Sequence, residues 1–418
     1  MQNSNRSFYG SQNTSSNYGP RKRFGVSSFG NNNRNGFRNR PARRGSVSER
    51  IDISKFVQKS VETTPENAPE ITNTFFDFNF CEPLRYNLKR KNYLTPTPIQ
   101  DQSMKLIIEG HDLVGLANTG TGKTAAFLLP LIHKVFHNNS QKVLIIAPTR
   151  ELAQQIDVEF KEFASGMRIY STICVGGTSM SRQISGLRAR PNFVIGTPGR
   201  LKDLSNRNFF KLSEFQNVVL DEVDRMLDMG FIEDIKFLLA QTPKIKQTLF
   251  FSATIPPKIS LLINDFLHNP ITVEVKTGDT AKNVEQDIIK IRNVGAKLGK
   301  LEELLSQEEI KKTLIFIETK REVEKVTKSL IDGGFKADSI HGNKNQNQRQ
   351  RALNQFRNNS INILVATDVA ARGLDIKDIS HVINYTIPNT YNDYVHRIGR
   401  TGRCDKKGFA YTFVMDHS

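Results

Sequence analysis

Cysteine is scarce in this chain of 418 residues, and the three that occur, Cys81, Cys174 and Cys404, lie far apart. No CxxC pair and no ligand-like histidine spacing accompanies them, which argues against a disulfide framework or a zinc site and favours a reducing compartment. Long hydrophobic runs are also missing: no stretch of 18 apolar residues occurs, and the N-terminus lacks the apolar core of a secretory signal. We therefore expect a cytoplasmic protein that has no membrane partner.

Leucine and isoleucine are absent from residues 1–50, which consist mainly of Asn, Ser, Gly and Arg with scattered Phe and Tyr. This segment has ten basic side chains and one acidic one, so its net charge of +9 is more than half of the +17 of the whole chain. It cannot bury enough apolar surface to offset the entropy of ordering, and we predict a disordered tail. The tail is either a solubilising extension or an RNA tether that combines guanidinium groups with aromatic rings.

Short β-branched runs alternate with longer amphipathic stretches from about residue 71 onward. The runs are LVGLA (113–117), VLIIA (143–147), FVIG (193–196), VVLD (218–221), TLFF (248–251), IIKIR (288–292), TLIFI (313–317), INILVA (361–366), HVINY (381–385) and FAYTFV (409–414). Such alternation predicts an α/β fold with parallel sheets covered on both faces. We expect a tail and approach segment at 1–70, one domain at 71–270, a linker at 271–282 and a second domain at 283–418.

The sequence ANTGTGKT (117–124) follows a predicted strand and precedes a helical run, which is the context that a phosphate-binding loop requires. Gly120 and Gly122 allow backbone N–H groups to turn inward, Lys123 can reach the terminal phosphates, and Thr124 can bind Mg²⁺. An ordinary glycine-rich turn is the alternative, and the flanking strand and helix argue against it.

The acidic tetrapeptide DEVD (221–224) ends a predicted strand, where a metal-binding acid is expected in this class of fold. Asp221 would hold Mg²⁺, and Glu222 would orient or deprotonate a water molecule that attacks the terminal phosphate. Most isolated acidic clusters are solvated turns, so the inference depends on the preceding strand.

The segment HRIGRTGR (396–403) has arginines at positions 397, 400 and 403. A spacing of three predicts that they project from one side of a helical turn. Because the segment belongs to the second domain, its guanidinium groups would reach a nucleotide across the cleft, where such groups typically contribute about 10³–10⁵ in rate. The alternative is a solvated basic helix end.

The ordered set of motifs resembles the DEAD-box RNA helicases of superfamily 2, from about Phe75 to the end of the chain. The motifs are TPTPIQ (95–100), ANTGTGKT (117–124), PTRELA (148–153), GG (176–177), TPGR (197–200), DEVD (221–224), SAT (252–254), ATDVAARGLD (366–375) and HRIGRTGR (396–403). The resemblance implies two tandem RecA-like domains and an ATP-dependent RNA helicase that requires Mg²⁺. It also implies RNA as a partner, with ribosomal or ribonucleoprotein proteins as further candidates, and a monomeric state.

The resemblance further assigns roles to individual residues. The expected ATP contacts are Phe75, Tyr93, Thr95, Gln100, Thr119, Gly120, Thr121, Gly122, Lys123, Thr124 and Asp375. The expected catalytic residues are Lys123, Asp221, Glu222, Arg400 and Arg403, and Thr124 and Asp221 are the expected Mg²⁺ ligands. The expected RNA contacts are Arg150, Gly177, Thr197, Arg200, Thr319 and Thr367. Residues expected to couple the two domains are Asp224, Ser252, Thr254, Arg372 and His396. The Gln100 amide would select adenine, and the RNA contacts suit phosphate and 2′-OH groups, which predicts binding without base preference.

Two features depart from the pattern of this family. Val223 stands where the signature has alanine, which adds volume beside the acidic residues at a typical cost of about 1–3 kcal/mol in a packed core. Both carboxylates remain, so we expect hydrolysis to survive at a lower rate. The sequence also stops at MDHS, directly after a predicted strand, which is consistent with a minimal or a truncated domain. An ATP-dependent RNA clamp or scaffold with little turnover is the alternative function, and a DNA helicase is disfavoured by the resemblance.

Overall fold

The computed structural model describes residues 56–57, 71–118, 120–275, 284–371, 376, 378–402 and 407–416. The predicted disordered tail at 1–50 and most of the approach segment lie outside these ranges, as does most of the predicted linker. Two parallel sheets organise the described chain, and we call residues 71–275 the first lobe and residues 284–416 the second lobe. Within the described ranges, no helix has both the length and the apolar character needed to cross a bilayer.

The first lobe is a seven-stranded sheet with the strand order β3-β4-β2-β5-β6-β1-β7. Its strands are β1 (Leu113–Leu116), β2 (Val143–Ile146), β3 (Ser171–Cys174), β4 (Phe193–Gly196), β5 (Asn217–Asp221), β6 (Gln247–Ser252) and β7 (Ile271–Glu274). Its helices are α1 (Glu82–Arg90), α2 (Pro98–Ile108), α3 (Lys123–His137), α4 (Arg150–Phe163), α5 (Met180–Arg188), α6 (Pro198–Asn206), α7 (Val223–Asp228), α8 (Ile232–Ala240) and α9 (Pro257–Phe266). All pairings are parallel, so the helices serve as crossover connections.

The second lobe is a six-stranded parallel sheet with the strand order β10-β11-β9-β12-β13-β8. Its strands are β8 (Val284–Ile291), β9 (Thr313–Phe316), β10 (Ala337–Ile340), β11 (Ile363–Ala366), β12 (His381–Asn384) and β13 (Gly408–Met415). Its helices are α10 (Ala296–Leu305), α11 (Lys320–Asp332), α12 (Gln346–Arg357), α13 (Asp368–Ala371) and α14 (Tyr391–Ile398). Both lobes therefore have the predicted α/β architecture.

Each sheet is buried on both faces, as the apolar strand sequences predict. In β2, Val143 and Ile145 belong to one hydrophobic cluster, whereas Leu144 and Ile146 belong to the cluster on the opposite face. Successive side chains of a strand point to opposite faces, so a continuous apolar run implies helices on both sides. The loops that carry the sequence motifs follow the carboxyl ends of the strands, and these loops meet at one edge of each sheet.

Three strands were absent from the sequence-based expectations, and two of them have weak apolar character. Strand β3 begins with Ser171 and Thr172, and β10 contains an Asp and a Ser, so neither resembles a buried strand. Strand β7 lies within residues 271–282, which we predicted as a linker. Residues 271–274 instead pair with β1 at an edge of the first sheet. Edge strands bury less apolar surface than central strands and need fewer apolar residues, which explains why the sequence did not reveal β7.

Candidate functional site

The loop between β1 and α3 has the backbone shape that the sequence predicts for phosphate binding. Gly120 and Gly122 have φ values of +86° and +92°, which disfavour residues with a Cβ atom. A Cβ atom on Gly122 would also lie 2.4 Å from Nε2 of Gln100. This amide nitrogen donates to the Gly122 carbonyl at 3.0 Å, and its oxygen accepts from the Thr97 backbone at 2.9 Å. Gln100 therefore braces the loop from α2.

Lys123 and Thr124 begin α3, where the first backbone N–H groups of the helix are free of intrahelical partners. The Lys123 side chain is 6% exposed and donates to the Ala117 carbonyl at 2.7 Å. The Thr121 hydroxyl donates to the Asn118 carbonyl at 2.8 Å, which closes the loop on itself. Backbone N–H groups, a helix N-terminus and a buried ammonium group together favour a phosphate anion.

Asp221 ends β5 at the same sheet edge and is buried. Burial raises the pKa of its carboxyl group to about 7; Lys123 acts in the opposite direction, and Glu222 raises it further. The Glu222 N–H donates to Asp221 Oδ1 at 3.0 Å. A buried carboxylate with a raised pKa is stabilised as the anion by a bound cation, so this residue fits the predicted role as a Mg²⁺ ligand.

The described residues contain no group of three or more His, Cys, Asp and Glu side chains arranged to hold a metal ion. Mg²⁺ at nucleotide sites needs no such group, because one or two protein ligands, substrate phosphates and water molecules complete its shell. The half-buried Thr124, next to Lys123, is the second candidate ligand from the sequence. The donor set therefore fits Mg²⁺ carried by a nucleotide better than a permanent metal centre.

Glu222 adopts a left-handed backbone conformation with φ 53° and ψ 53°. A non-glycine residue in this region is strained, and such strain is often found at functional sites. Its carboxylate is held by Arg225, with 2.7 Å between Oε2 and Nη1, and both side chains are buried. The Arg225 Nη2 atom has no hydrogen-bond partner within the part of the chain that the structure describes. Arg225 was not among the predicted residues, although its spacing of three from Glu222 places the two on one helix face.

Asp224, Ser252 and Thr254, which we expect to couple the two domains, form one hydrogen-bonded group within the first lobe. Asp224 Oδ2 accepts from the backbone of Ala253 at 3.1 Å and of Thr254 at 3.2 Å. The Asp224 N–H donates to Ser252 Oγ at 3.3 Å, and the Ser252 hydroxyl donates to the Thr254 carbonyl at 2.7 Å. The end of β6 is thus fixed to the first turn of α7. Val223, the departure from the signature, is buried in a hydrophobic cluster beneath this turn.

A cavity of about 440 Å³, which we call the arginine cavity, is lined by the guanidinium groups of Arg150, Arg200 and Arg349. Burial lowers the pKa of Arg150, and the neighbouring Arg349 and Arg200 lower it further, while Glu151 acts in the opposite direction. Gly177 has a φ of +73°, and a Cβ atom there would lie 2.2 Å from Arg150 Nη1. Converging guanidinium groups attract an anion such as a phosphate.

Three of the predicted RNA contacts of the first lobe line this cavity. Arg150 begins α4, Thr197 is the N-cap of α6, and Arg200 lies in the first turn of α6. Gly177 packs against Arg150, as described above. The predicted contacts of the second lobe, Thr319 and Thr367, follow the carboxyl ends of β9 and β11. Thr319 is exposed as the N-cap of α11, where its hydroxyl accepts from the Glu322 N–H at 3.3 Å.

The two lobes are joined by a buried polar bridge beside the same cavity. Arg349 of α12 approaches Glu151 of α4, with 3.0 Å between Nη2 and Oε1, and the side chains are 14% and 3% exposed. Gln346 donates to the same Glu151 oxygen at 3.2 Å and accepts from Arg150 Nη1 at 3.4 Å. Neither Gln346 nor Arg349 was predicted from the sequence. Their spacing of three on one helix face was the available signal.

The arginine segment of the second lobe differs from its prediction. Helix α14 ends at Ile398, and Arg400 follows it in a turn after Gly399. The prediction that one helical turn carries all three arginines was therefore wrong. Arg397 forms two hydrogen bonds to Asp368, at 2.6 and 2.7 Å, and donates to the Thr386 carbonyl at 2.6 Å. This guanidinium is therefore a structural group. Arg400 is 4% exposed, and its Nε donates to the His396 carbonyl at 3.2 Å.

The residues expected around adenine are divided between the core and the surface. Phe75 is 4% exposed, and its ring centroid lies 5.8 Å from that of Tyr93. Tyr93 also packs edge-on against Phe163 at 5.5 Å. Thr95 is exposed in the loop that precedes α2. The remaining predicted site residues, Thr119, Arg372, Asp375 and Arg403, lie outside the described residues.

Comparison with known proteins agrees with this arrangement of lobes and loops. A family model described as DEAD/DEAH box helicase matches residues 97–262, and one described as Helicase conserved C-terminal domain matches residues 296–405. The ATP-dependent RNA helicase CshA of Limosilactobacillus reuteri is 43% identical over 342 residues, which cover 81% of this chain and 69% of the relative. The RNA helicase CrhR of Synechocystis is 42% identical over 332 residues, which cover 79% and 68%.

A solved structure shares the fold as well. Dbp5 of S. cerevisiae bound to RNA and ADP BeF3 has a TM-score of 0.74 and 29% identity, with 82% of this chain and 90% of that chain covered. The residues that the two family models match include the phosphate loop, the acidic tetrapeptide and α14. The chain belongs to the DEAD/DEAH box helicase family.

Proposed function

We propose that the chain is an RNA-stimulated ATPase that separates short RNA duplexes locally and remodels ribonucleoprotein complexes. The relatives named above are RNA helicases, and the Dbp5 structure contains RNA together with a nucleotide. In this chain the phosphate loop, the acidic tetrapeptide and the arginine cavity supply the corresponding groups. The function therefore combines a nucleotide site in the first lobe with RNA contacts on both lobes.

The proposed chemistry assigns one task to each side chain of the nucleotide site. Lys123 neutralises the terminal phosphates, and Glu222, held by Arg225, orients or deprotonates the attacking water. Thr124 and Asp221 would hold Mg²⁺, which would neutralise charge that develops on the transferred phosphoryl group. Arg400 and Arg403 approach that group from the second lobe, so hydrolysis depends on closure of the lobes.

The observation that carries the proposal is that adjacent residues of α4 line the cavity and form the contact between the lobes. Arg150 lines the arginine cavity, and Glu151, the next residue of α4, forms the bridge to Arg349. An RNA phosphate bound in the cavity therefore neutralises positive charge beside the bridge and favours the closed arrangement. Binding of RNA and assembly of the ATPase site are in this way coupled through the first turn of α4.

Local strand separation follows from the size of this arrangement. Closure around one strand would bend it away from A-form geometry and displace the partner over a short stretch. Opening about six base-pair steps costs on the order of 8 kcal/mol if RNA stacking resembles the DNA mean. This is within reach of a few nucleotide-driven closures for short helices, whereas long processive unwinding is not expected.

The test measures ATP hydrolysis with and without single-stranded RNA in the wild-type protein, the Arg349→Ala variant and the Arg351→Ala variant. Arg351 is exposed on the same helix and provides the matched control. Removing Arg349 leaves the buried Glu151 without its cationic partner in the closed state, so we expect at least a tenfold lower RNA-stimulated kcat/KM. Hydrolysis without RNA should change less than twofold, and the control should resemble the wild type.

Two outcomes would contradict the proposal. Equal rates of hydrolysis with and without RNA in the wild-type protein would remove the coupling between RNA and the ATPase site. Unchanged stimulation in the Arg349→Ala variant would show that the bridge to Glu151 plays no part in closure.

A further inference from the structure

Phe56 precedes the first lobe in the sequence but packs into the second lobe. Its side chain is fully buried in a hydrophobic cluster with Val284 of β8, Ala410 of β13, and Tyr394 and Ile398 of α14. The neighbouring Val57 is 51% exposed, so burial is specific to the aromatic residue. An apolar residue outside the folded lobes is normally exposed, whereas Phe56 is enclosed by the side chains of this cluster.

The contact centres on Tyr394. The ring centroids of Phe56 and Tyr394 are 4.7 Å apart, with an angle of 56° between the rings. The Tyr394 hydroxyl donates to Gln286 Oε1 of β8 at 2.8 Å, and both side chains are buried. Tyr394 is thus held at its hydroxyl by Gln286 of β8 and at its ring by Phe56, and these contacts attach α14 to this part of the second sheet.

The cluster lies at the base of the arginine segment. Tyr394 and Ile398, both in contact with the cluster, lie three residues before and one residue after Arg397. Arg400 follows two residues after Ile398, directly past the end of the helix. The orientation of α14 therefore determines where the Arg400 backbone emerges, and a shift of about 1 Å in a catalytic group can cost about 10²-fold in rate.

The position of β8 explains why this site needs a cover. Strand β8 is at one edge of the second sheet, so its first residue, Val284, has a neighbouring strand on one side. Without Phe56, the apolar atoms of Val284, Tyr394 and Ala410 would face water at a sheet edge, which is unfavourable. Phe56 closes this site from within the same chain.

We propose that Phe56 is a positioning residue for the arginine segment: it clamps α14 through Tyr394 and so holds Arg400 where the closed cleft requires it. This inference rests on the proposed ATPase function. It assigns to the chain before residue 71 a role in turnover that is separate from RNA binding by the basic tail. The expected signature is a lower kcat with unchanged KM values, because the predicted substrate contacts lie elsewhere.

The kinetic test compares Phe56→Ala, Phe56→Leu and Val57→Ala in the full-length protein. At saturating ATP and RNA, we expect Phe56→Ala to lower kcat about tenfold, while the KM values for ATP and RNA stay within twofold. Phe56→Leu, which keeps apolar volume in the site, should recover most of kcat, and Val57→Ala should match the wild type. Assays are run well below the unfolding temperature of each variant, measured by circular dichroism. A Phe56→Ala protein with wild-type kcat would overturn the inference.

A second measurement tests the docking itself and does not depend on activity. The chain contains no tryptophan, so Phe56→Trp and Val57→Trp each introduce a single fluorescent reporter. We expect blue-shifted emission and weak acrylamide quenching at position 56, and red-shifted emission with strong quenching at position 57. An exposed reporter at position 56 in an active enzyme would overturn the inference alone. A buried reporter in a wild-type background without ATPase activity would instead overturn the proposed function, and with it the role in turnover.

Discussion

Charged side chains lie at the carboxyl edge of the sheet in both lobes, but their partners differ. In the first lobe, Asp221 is surrounded by carboxylates and has Lys123 as the cation that lowers its pKa. In the second lobe, Asp368 receives two hydrogen bonds from Arg397, which also donates to the Thr386 carbonyl. One charge is thus left for a ligand to compensate, whereas the other is compensated by the fold.

This difference separates functional charges from structural ones. A buried carboxylate without full compensation costs free energy that the protein recovers when a cation or substrate binds. A buried pair with complete hydrogen bonds contributes to a fixed geometry instead. On this basis we assign Asp221 to the proposed chemistry and Arg397 to the framework, although the sequence motif of Arg397 resembles a set of catalytic arginines.

The largest effect is expected from Glu222→Gln. This change keeps the size of the side chain and a hydrogen-bond acceptor for Arg225, but it removes the base that activates water. General base catalysis typically contributes 10²–10⁴-fold, so multiple-turnover hydrolysis should fall by about that factor. RNA binding in the presence of ATP should persist, measured by fluorescence anisotropy of a labelled strand.

Glu233→Gln is the matched control for this prediction, because Glu233 is 79% exposed at the start of α8. Unchanged hydrolysis in Glu222→Gln, in a protein whose wild-type rate is already negligible, would favour the alternative of an ATP-dependent clamp or scaffold. It would also remove the distinction between the two lobes, since the strained Glu222 would then have no catalytic task.

A smaller effect, on stability rather than turnover, is expected from Asp368→Ala. Arg397 would remain buried without a carboxylate partner, which should lower the free energy of unfolding by about 3 kcal/mol. Urea denaturation followed by circular dichroism measures this change. The control is Asp203→Ala, which removes a pair to Arg207 whose guanidinium is 59% exposed and should cost less than about 1 kcal/mol. Equal losses in the two variants would show that the Arg397 pair has no special structural weight.

The smallest of these effects concerns His381, a buried titratable group of the second lobe. Its ring stacks on Phe409 and Tyr411, with centroids 5.0 and 6.0 Å apart, and burial lowers its pKa to about 4. Because this value is below the ordinary 6.5, the neutral ring stabilises the fold above pH 6.5. This contribution is lost as the pH falls from 6.5 towards 4, and at pH 5 the loss is about 2 kcal/mol.

The His381→Gln variant should therefore lose less stability than the wild type when urea denaturation at pH 5.0 is compared with pH 7.5. The exposed His268 supplies the control variant, His268→Gln, whose pH dependence should follow the wild type. An acid sensitivity that is the same in all three proteins would exclude His381 as its source.

Sequence order predicted that the phosphate loop and the acidic tetrapeptide meet at one edge of the first sheet, because these motifs are local in the sequence. The phosphate loop and Asp221 each follow a strand directly, and strands in parallel sheets end at the same edge, so their meeting could be inferred. The acidic motif and the serine–threonine motif, with Asp224, Ser252 and Thr254, come together for the same reason. The α/β class followed from alternation of strands and helices.

The missed features depend on contacts between distant segments or on weak composition. Arg349 acquires its role from Glu151, almost 200 residues earlier, and Phe56 acquires its role from Tyr394. The helical placement of Arg400 failed because Gly399 ends α14, and glycine lowers helix propensity by about 1 kcal/mol. Strand β7 was assigned to a linker because an edge strand needs few apolar residues.

The adjacency of Arg150 and Glu151 has a consequence for how such a protein can diversify. In the proposed function Arg150 meets the nucleic acid, and the next residue, Glu151, meets the other lobe, so a backbone change that alters the first contact also disturbs the second. Natural variants that acquire new RNA targets therefore have little freedom in this turn of α4. Novelty in target choice is expected to accumulate in segments that are free of both duties, and the arginine-rich N-terminal extension is the obvious place for it.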